Sequence, residues 1–231
     1  MVKARKNSQL MQIASYIDHT ILKPVTTPAD VKKICVEADS YQFAAVCIPP
    51  PYVRSAKALL ANSPVKVATV IGFPFGYSNA RAKLAEVQQA VRDGADELDI
   101  VINLAALKSG SWDYLQSEME LLSEEIVKNK KVSKVIIESG ILADEEIKRA
   151  CGIYATLPVD FLKTSTGYAE SGASLHAVQL MRANLPSGMR IKASGGIKTY
   201  SFAKELIDAG ATRLGCSASI SIVEQQLREN D

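Results

Sequence analysis

Short apolar or β-branched runs recur along the whole chain, at Tyr16 to Leu22, Ala44 to Ile48, Val65 to Ile71, Glu97 to Asn103, Ser133 to Glu138, Val159 to Thr164, Arg190 to Ala193 and Arg213 to Cys216. Each has the length of a strand, and the stretches between them carry helical periodicity, so the pattern predicts eight strands alternating with helices. Helix starts are marked. Thr27-Pro28 supplies a cap and an N1 proline, Ser78-Asn79 a second cap, and Ala143-Asp144-Glu145-Glu146 places acids in a first turn. Gly94 and Gly210 stand where helices end and the chain turns back toward a strand. Eight such units in 231 residues fit a (β/α)8 TIM barrel at its compact end. The alternative, a doubly wound open sheet, is weakened because no GxGxxG follows the first strand.

No Gly/Ser/Pro-rich linker, low-complexity tract or charge block divides the sequence, which predicts one domain over residues 1–231. A chain of this mass can bury roughly 70% of its surface, enough for one core without disulfides or metal. The opening Met1 to Asn7 carries Lys3, Arg5 and Lys6, and Gln9 to Ser15 is too interrupted by polar residues for a secretory core. A short N-terminal amphipathic helix leading into the fold is expected there, in preference to an organelle transit peptide. No apolar run reaches the 18 or so residues of a membrane span.

Charge and composition then narrow the chemistry. With 27 basic against 25 acidic residues spread along the chain, nothing draws the protein to nucleic acid. The two histidines, His19 and His176, lie far apart, and Cys35, Cys47, Cys151 and Cys216 never approach a CxxC spacing. Zinc binding and a secreted disulfide framework are therefore poorly supported, and reduced thiols in the cytoplasm are expected.

In a barrel of this kind, function sits at the C-terminal ends of the strands, so polar residues inside strands are informative. Lys163 lies near the end of the sixth strand, on the same face as Phe161, and Lys192 lies in the seventh. Adjacent strands are about 4.8 Å apart, so two inward lysines on them approach closely. Burial and a like charge both lower a lysine pKa and leave one amine neutral, able to attack a carbonyl and form a Schiff base. The competing reading has both lysines reaching out of the barrel mouth merely to solvate it.

Asp99, flanked by Leu98 and Ile100 in the fourth strand, is the candidate proton carrier, because a buried carboxylate needs a cationic partner. Its bland alternative is an outward residue paired with a helix cation. Asp18 is a similar but weaker candidate, and structural roles are expected for both histidines. Gly195-Gly196 after the seventh strand and Gly215-Cys216-Ser217-Ala218-Ser219 after the eighth occupy the usual phosphate position of such barrels, with Lys198 adding charge and Ser217 or Ser219 a hydroxyl. Cys47 lacks a base to activate it and is expected to be a small apolar strand residue. Phe73-Pro74-Phe75-Gly76 is expected to be pocket wall.

These motifs, taken in order, carry a family resemblance. Ile17-Asp18-His19-Thr20-Ile21-Leu22-Lys23-Pro24, Val46-Cys47, Val70-Ile71-Gly72-Phe73-Pro74, Gly94-Ala95-Asp96-Glu97-Leu98-Asp99, Lys134-Val135-Ile136-Ile137-Glu138, Phe161 to Gly167, Lys192-Ala193-Ser194-Gly195-Gly196-Ile197 and Arg213-Leu214-Gly215 resemble the deoxyribose-phosphate aldolase family, from about residue 16 to about 225. The resemblance implies a metal-free, cofactor-free class I aldolase. It would cleave 2-deoxy-D-ribose 5-phosphate reversibly to acetaldehyde and D-glyceraldehyde 3-phosphate. It implies Lys163 as the Schiff-base lysine, Lys192 as the lysine that perturbs it, and Asp99 as the relay carboxylate. It also implies Gly167, Gly195, Gly196, Lys198, Gly215 and Ser217 at the phosphate, and a homodimer or homotetramer. Departures from the family pattern include Ile48-Pro49-Pro50-Pro51 where Asn-Pro is common, Ser139-Gly140 where Thr-Cys is common, Tyr168 where Phe or Lys is frequent, and no tyrosine-bearing tail before Asp231. The rival readings are a Schiff-base aldolase with another donor, a phosphosugar isomerase of the same architecture, and a phosphosugar-binding barrel without catalysis.

Overall fold

Strands form where the apolar and β-branched runs place them: β1 (Ile17–Thr20), β2 (Ala45–Ile48), β3 (Lys66–Ile71), β4 (Glu97–Val101), β5 (Val132–Ile136), β6 (Phe161–Lys163), β7 (Arg190–Ser194) and β8 (Arg213–Cys216). The computed structural model describes residues 13–229. The expected N-terminal helix falls mainly on earlier residues and lies outside the described ones. All eight strands are parallel in chain order, and β8 pairs with β1 through Ile17 with Leu214 and Asp18 with Gly215. That last pairing closes the sheet and excludes the open doubly wound alternative.

The helices between the strands are α1 (Pro28–Tyr41), α2 (Val53–Leu59), α3 (Ala80–Asp93), α4 (Leu104–Lys108), α5 (Trp112–Lys128), α6 (Asp144–Tyr154), α7 (Leu175–Asn184), α8 (Tyr200–Asp208) and α9 (Ser219–Glu229). Their starts follow the expected chemistry. The Thr27 side chain accepts from the Asp30 amide while Asp30 accepts from the Thr27 amide at 2.9 Å, a reciprocal cap worth about 1 kcal/mol. Asn79 caps α3 through the Ala82 amide, and α3 ends on Gly94. Among the described residues no helix is long and apolar enough to cross a membrane.

Alternation along the strands separates two faces with different contents. Ile17, Val46, Val67, Leu98, Val135, Leu162, Ile191 and Leu214 face outward and are buried in one core with helix residues such as Val31, Leu122, Met181, Leu206 and Ile222. The inward residues of β2 and β3 form a small apolar cluster of their own, Ala45, Cys47, Ala68 and Val70. The rest of the interior mixes charge with the apolar side chains of Val101, Ile136 and Phe161: Asp18, Glu97, Asp99, Lys134, Lys163 and Lys192 are all buried there. A lone buried charge is heavily penalised, so these groups are tolerable only as mutual partners.

Candidate active site

The strand register brings the two sequence-predicted lysines side by side, with Lys163 of β6 level with Lys192 of β7. Lys163 Nζ donates to Asp99 Oδ2 at 2.7 Å, and Lys192 Nζ donates to the same oxygen, also at 2.7 Å. Asp99 therefore points inward, and the reading that pairs it with a helix cation is ruled out. Lys192 also donates to Asp18 Oδ2 at 2.5 Å, so Asp18 belongs to the same cluster and is no weaker a member than Asp99.

A second tier completes it. Lys134 Nζ donates to Asp99 Oδ1 at 2.8 Å, pairs with Glu97 at 2.6 Å and lies 3.5 Å from Asp18. Arg213 holds Asp18 Oδ1 at 2.6 Å and Glu97 at 3.1 Å. Four cationic side chains, Lys134, Lys163, Lys192 and Arg213, thus meet three carboxylates, Asp18, Glu97 and Asp99. Full ionisation would leave one uncompensated positive charge in a buried site, and the cluster is relieved if one amine is neutral.

Lys163 is the amine most easily spared. It has one carboxylate partner, whereas Lys192 and Arg213 have two each and Lys134 has three. Burial, together with the like charge of Lys192, pushes the Lys163 pKa down against the pull of Asp99. For Lys192, burial is outweighed by Asp18 and Asp99, and its pKa is raised. Lys134 is raised for the same reason. Asp99 is held well below the usual carboxylate range: burial opposes this, but Lys134, Lys163 and Lys192 prevail. An amine with a lowered pKa, an ammonium with a raised one and an ionised carboxylate thus meet around one oxygen atom.

Local sequence explains how Lys192 fits. Gly215 of β8 stands beside it, and a Cβ at Gly215 would lie 3.2 Å from Lys192 Cε and 2.8 Å from Ser194 Cβ. Glycine there leaves the space that the lysine arm fills. Lys163 is placed by a different device. Glu138, just after β5, is buried and accepts the Thr166 amide at 3.2 Å and the Thr166 hydroxyl, tying down the Lys163-Thr164-Ser165-Thr166-Gly167 segment. Burial raises the Glu138 pKa against these hydrogen bonds.

Above the cluster opens a cavity of about 580 Å³. Lys163 lies on its floor, and Gly167, Gly195, Gly196, Lys198, Gly215 and Ser217 line it. Lys192 and Asp99 lie beneath, fully buried, and reach the cavity only through Lys163 and the groups around it. Gly195 has φ of +90° and packs against Gly172, with a Cβ there only 3.0 Å from the Gly172 Cα, so the loop after β7 requires glycine. Ser219, the other hydroxyl considered for the phosphate loop, is turned away, donating to the Cys216 carbonyl at 2.9 Å and meeting His19 Nδ1 at 2.9 Å.

A second cavity of about 560 Å³ adjoins the first, lined by Pro49, Pro50, Pro51, Val70 and Phe73. Leu22 and Lys23 line both cavities. Tyr168 spans the gap between them, its hydroxyl donating to the Leu22 carbonyl at 2.7 Å and its ring meeting Phe73 edge-on at 5.3 Å. Cys47 sits in the apolar inner cluster with its thiol pushed up to about 11 by burial, as expected for a packing residue. His176 is exposed and pairs with Asp144.

Sequence reasoning missed Lys134, Glu97, Arg213 and Glu138 as members of the site. The signal for Lys134 was present: it precedes Ile136 by two positions in a strand, as Lys163 follows Phe161 by two.

A closed parallel barrel with two buried lysines sharing one carboxylate oxygen at the C-terminal ends of its strands defines a carbonyl-attacking barrel enzyme of the Schiff-base kind. Comparison with known proteins sharpens the class. The model of the DeoC/LacD family of aldolases matches residues 12–219, and the chain belongs to that family. It is 47% identical to the deoxyribose-phosphate aldolase of Caldicellulosiruptor saccharolyticus, over 93% of this chain and 98% of that one. Among solved structures, the aldolase QR15 superposes with a TM-score of 0.90 at 39% identity, covering 95% of this chain and 97% of that one. A tetrameric deoxyribose phosphate aldolase from Aeropyrum pernix gives 0.87 at 30% identity, over 96% and 94%.

Proposed function

We propose that this protein is a class I deoxyribose-phosphate aldolase, acting through an imine on Lys163. The observation that carries the reading is the shared oxygen of Asp99, which puts a lysine short of full charge beside a permanently charged one.

In the cleavage direction, the neutral Lys163 amine adds to the C1 aldehyde of open-chain 2-deoxyribose 5-phosphate, and loss of water gives the imine. The protonated imine draws the electron pair of the C2–C3 bond as the C3 hydroxyl gives up its proton, releasing glyceraldehyde 3-phosphate and leaving an enamine. Protonation of that enamine at C2 restores an imine, and hydrolysis returns acetaldehyde and free Lys163. Lys192 supplies the charge that keeps Lys163 partly neutral, and with Asp99 it carries protons to and from the reacting carbon. The phosphate lies against Gly167, Gly195, Gly196, Gly215, Ser217 and Lys198, where glycine loops allow backbone N–H groups to approach.

Several broader features belong to the same proposal. The continuous closed barrel supports one domain. All four cysteines are buried and unpaired, which supports a reducing cytoplasmic setting. The tetrameric relative supports a homo-oligomer, to be measured by light scattering.

Borohydride reduction in the presence of acetaldehyde, followed by peptide mass spectrometry, tests the chemistry. The expected result is a two-carbon adduct on Lys163 alone, absent from Lys163→Leu, which also loses turnover. An adduct on another residue, or none, overturns the mechanism. A substrate panel separates this donor from larger ones, and aldehyde release distinguishes an enzyme from a binding protein.

A further inference from the structure

His19 is used by neither the lysine cluster nor the barrel core, yet it lines the same cavity as Lys163 and the glycine loops. It faces outward from β1, 5% exposed, with its ring tilted against Phe43 at 5.0 Å. Its Nε2 lies 2.9 Å from Glu37 Oε2 on α1, and its Nδ1 lies 2.9 Å from the Ser219 hydroxyl at the first residue of α9. Ser219 in turn donates to the carbonyl of Cys216, the last residue of β8. The three bonds therefore run in a chain from α1, through β1, to both ends of the Cys216–Ser219 loop. That loop contains Ser217 and follows Gly215, both on the cavity wall.

The Ser219 hydroxyl has a single hydrogen, so each charge state of the ring has its own pattern, and His19 stays joined to both Glu37 and Ser219 in the two of them. An ionised Glu37 only accepts, so Nε2 carries the hydrogen in the neutral imidazole, and Nδ1 accepts the one Ser219 hydrogen in competition with the Cys216 carbonyl. When the ring is protonated, Nδ1 donates to Ser219 and the serine hydroxyl turns wholly to the Cys216 carbonyl. Among the described residues no other charged side chain bonds the ring directly; Lys33 stands behind Glu37 at 3.7 Å, and the Cys216 thiol is buried on β8.

We infer that His19 is a positioning residue for the phosphate end of the site: it clamps the loop between β8 and α9 so that the backbone N–H groups there stay aimed into the cavity. The inference rests on the phosphosugar reading given above. The clamp has a further consequence for specificity. Its bonds run from α1 to the loop after β8, and none of them reaches Lys163. Its loss should weaken binding of the phosphorylated end without touching the carbonyl chemistry.

Steady-state kinetics of three His19 variants and Ser219→Ala, with 2-deoxyribose 5-phosphate and with unphosphorylated 2-deoxyribose, test it. Asparagine places a polar group where Nδ1 stood, and glutamine places one where Nε2 stood. His19→Phe, which keeps the ring packing, His19→Gln and Ser219→Ala should each raise KM for the phosphorylated substrate about tenfold, with kcat within about twofold, as expected for one lost hydrogen bond at an anion site. His19→Asn should restore most of the KM, and kinetics with 2-deoxyribose should stay unchanged in all four.

Titration of each folded variant with inorganic phosphate by calorimetry gives a readout independent of turnover. If wild type binds no phosphate, the functional reading fails. If wild type binds and all variants bind equally well, the role of His19 fails while that reading stands. Equal losses with both sugars, or no rescue by asparagine, also overturn it. Should the phenylalanine variant not fold, the wild-type protein still decides: with two histidines in the chain, nitrogen NMR must show His19 as the Nε2–H tautomer near neutral pH, and the Nδ1–H form would sink the clamp.

Discussion

Lys163 and Lys192 donate to one and the same oxygen of Asp99, each at 2.7 Å. Two ammonium groups so placed repel each other, and the partner count decides which yields. Lys192 also holds Asp18 at 2.5 Å, while Lys163 has Asp99 alone, so the Lys163 pKa is pushed down and that of Lys192 up.

Replacing Lys192 therefore acts on Lys163. In Lys192→Leu the like charge is gone and Asp99 has one fewer cation to serve, and both changes favour the charged form of Lys163. Its pKa rises, so the acid limb of the kcat/KM profile moves to higher pH. Turnover at pH 7 should fall about a hundredfold or more, through loss of the proton carrier as well. Borohydride trapping on Lys163 should persist at a reduced rate, most visibly at pH 9.

Asp99→Asn separates imine formation from proton transfer. Without the carboxylate, Lys163 is less able to hold its proton, so acetaldehyde trapping at pH 6 should be faster than in wild type while turnover drops at least about a hundredfold. The same variant leaves Lys134, Lys163 and Lys192 short of a counter-charge, and denaturant unfolding should show a loss of about 3–5 kcal/mol.

The buried carboxylates also set the acid limit of stability. Asp18 and Asp99 both have folded pKa values below the unfolded value of about 3.9, Asp18 because Lys192, Lys134 and Arg213 outweigh its burial. The unfolded state binds more protons than the folded one in this range, so their contribution is complete above about pH 4 and is lost as pH falls below it. The part of the guanidinium midpoint that Asp18 and Asp99 contribute should be steady between pH 5 and 7 and fall steeply from pH 4 to 3. In Asp99→Asn that fall should be shallower.

Gly215→Ala tests the space reserved for Lys192. The added methyl would press on Ser194 Cβ at 2.8 Å and on the lysine arm at 3.2 Å. A destabilisation of about 1–3 kcal/mol is expected from overpacking, with kcat reduced more than KM is raised. An unaltered kcat would show that Lys192 has freedom the packing denies it.

Much of this was legible in the sequence, and the physical reasons are specific. All eight strands appear because alternation between an apolar outer face and an inner face is strict, and the caps at Thr27 and Asn79 act through side chains that no other role explains. Strand ends were less legible: Tyr16 to Leu22 pairs only over Ile17–Thr20, since pairing depends on where β2 and β8 stop. Lys163, Lys192 and Asp99 stood out because charges inside strands are costly. Asp18 was underweighted because its partners, Lys192 and Arg213, lie at the far end of the chain and meet it only when β8 closes on β1. Glu97 and Arg213 sit at strand starts, where a charge ordinarily reaches solvent, so nothing in their neighbours separated them from surface residues. The role of His19 depends on a serine 200 positions away.

The division of the barrel interior has a stereochemical consequence. Among the described residues, the charged groups paired around Lys163 come from β1 and from β4 to β8, while β2 and β3 contribute the cluster of Ala45, Cys47, Ala68 and Val70. A flat enamine held on Lys163 between these halves has one face toward ionised groups and one toward hydrocarbon and a thiol that keeps its proton. Its two faces are therefore unequal before any acceptor arrives. Because C2 becomes a CH2 group, this inequality shows only as a preference between its two hydrogens, readable with an isotopic label, while the one new stereocentre, at C3, is set by which side of the acceptor carbonyl the phosphate anchor presents.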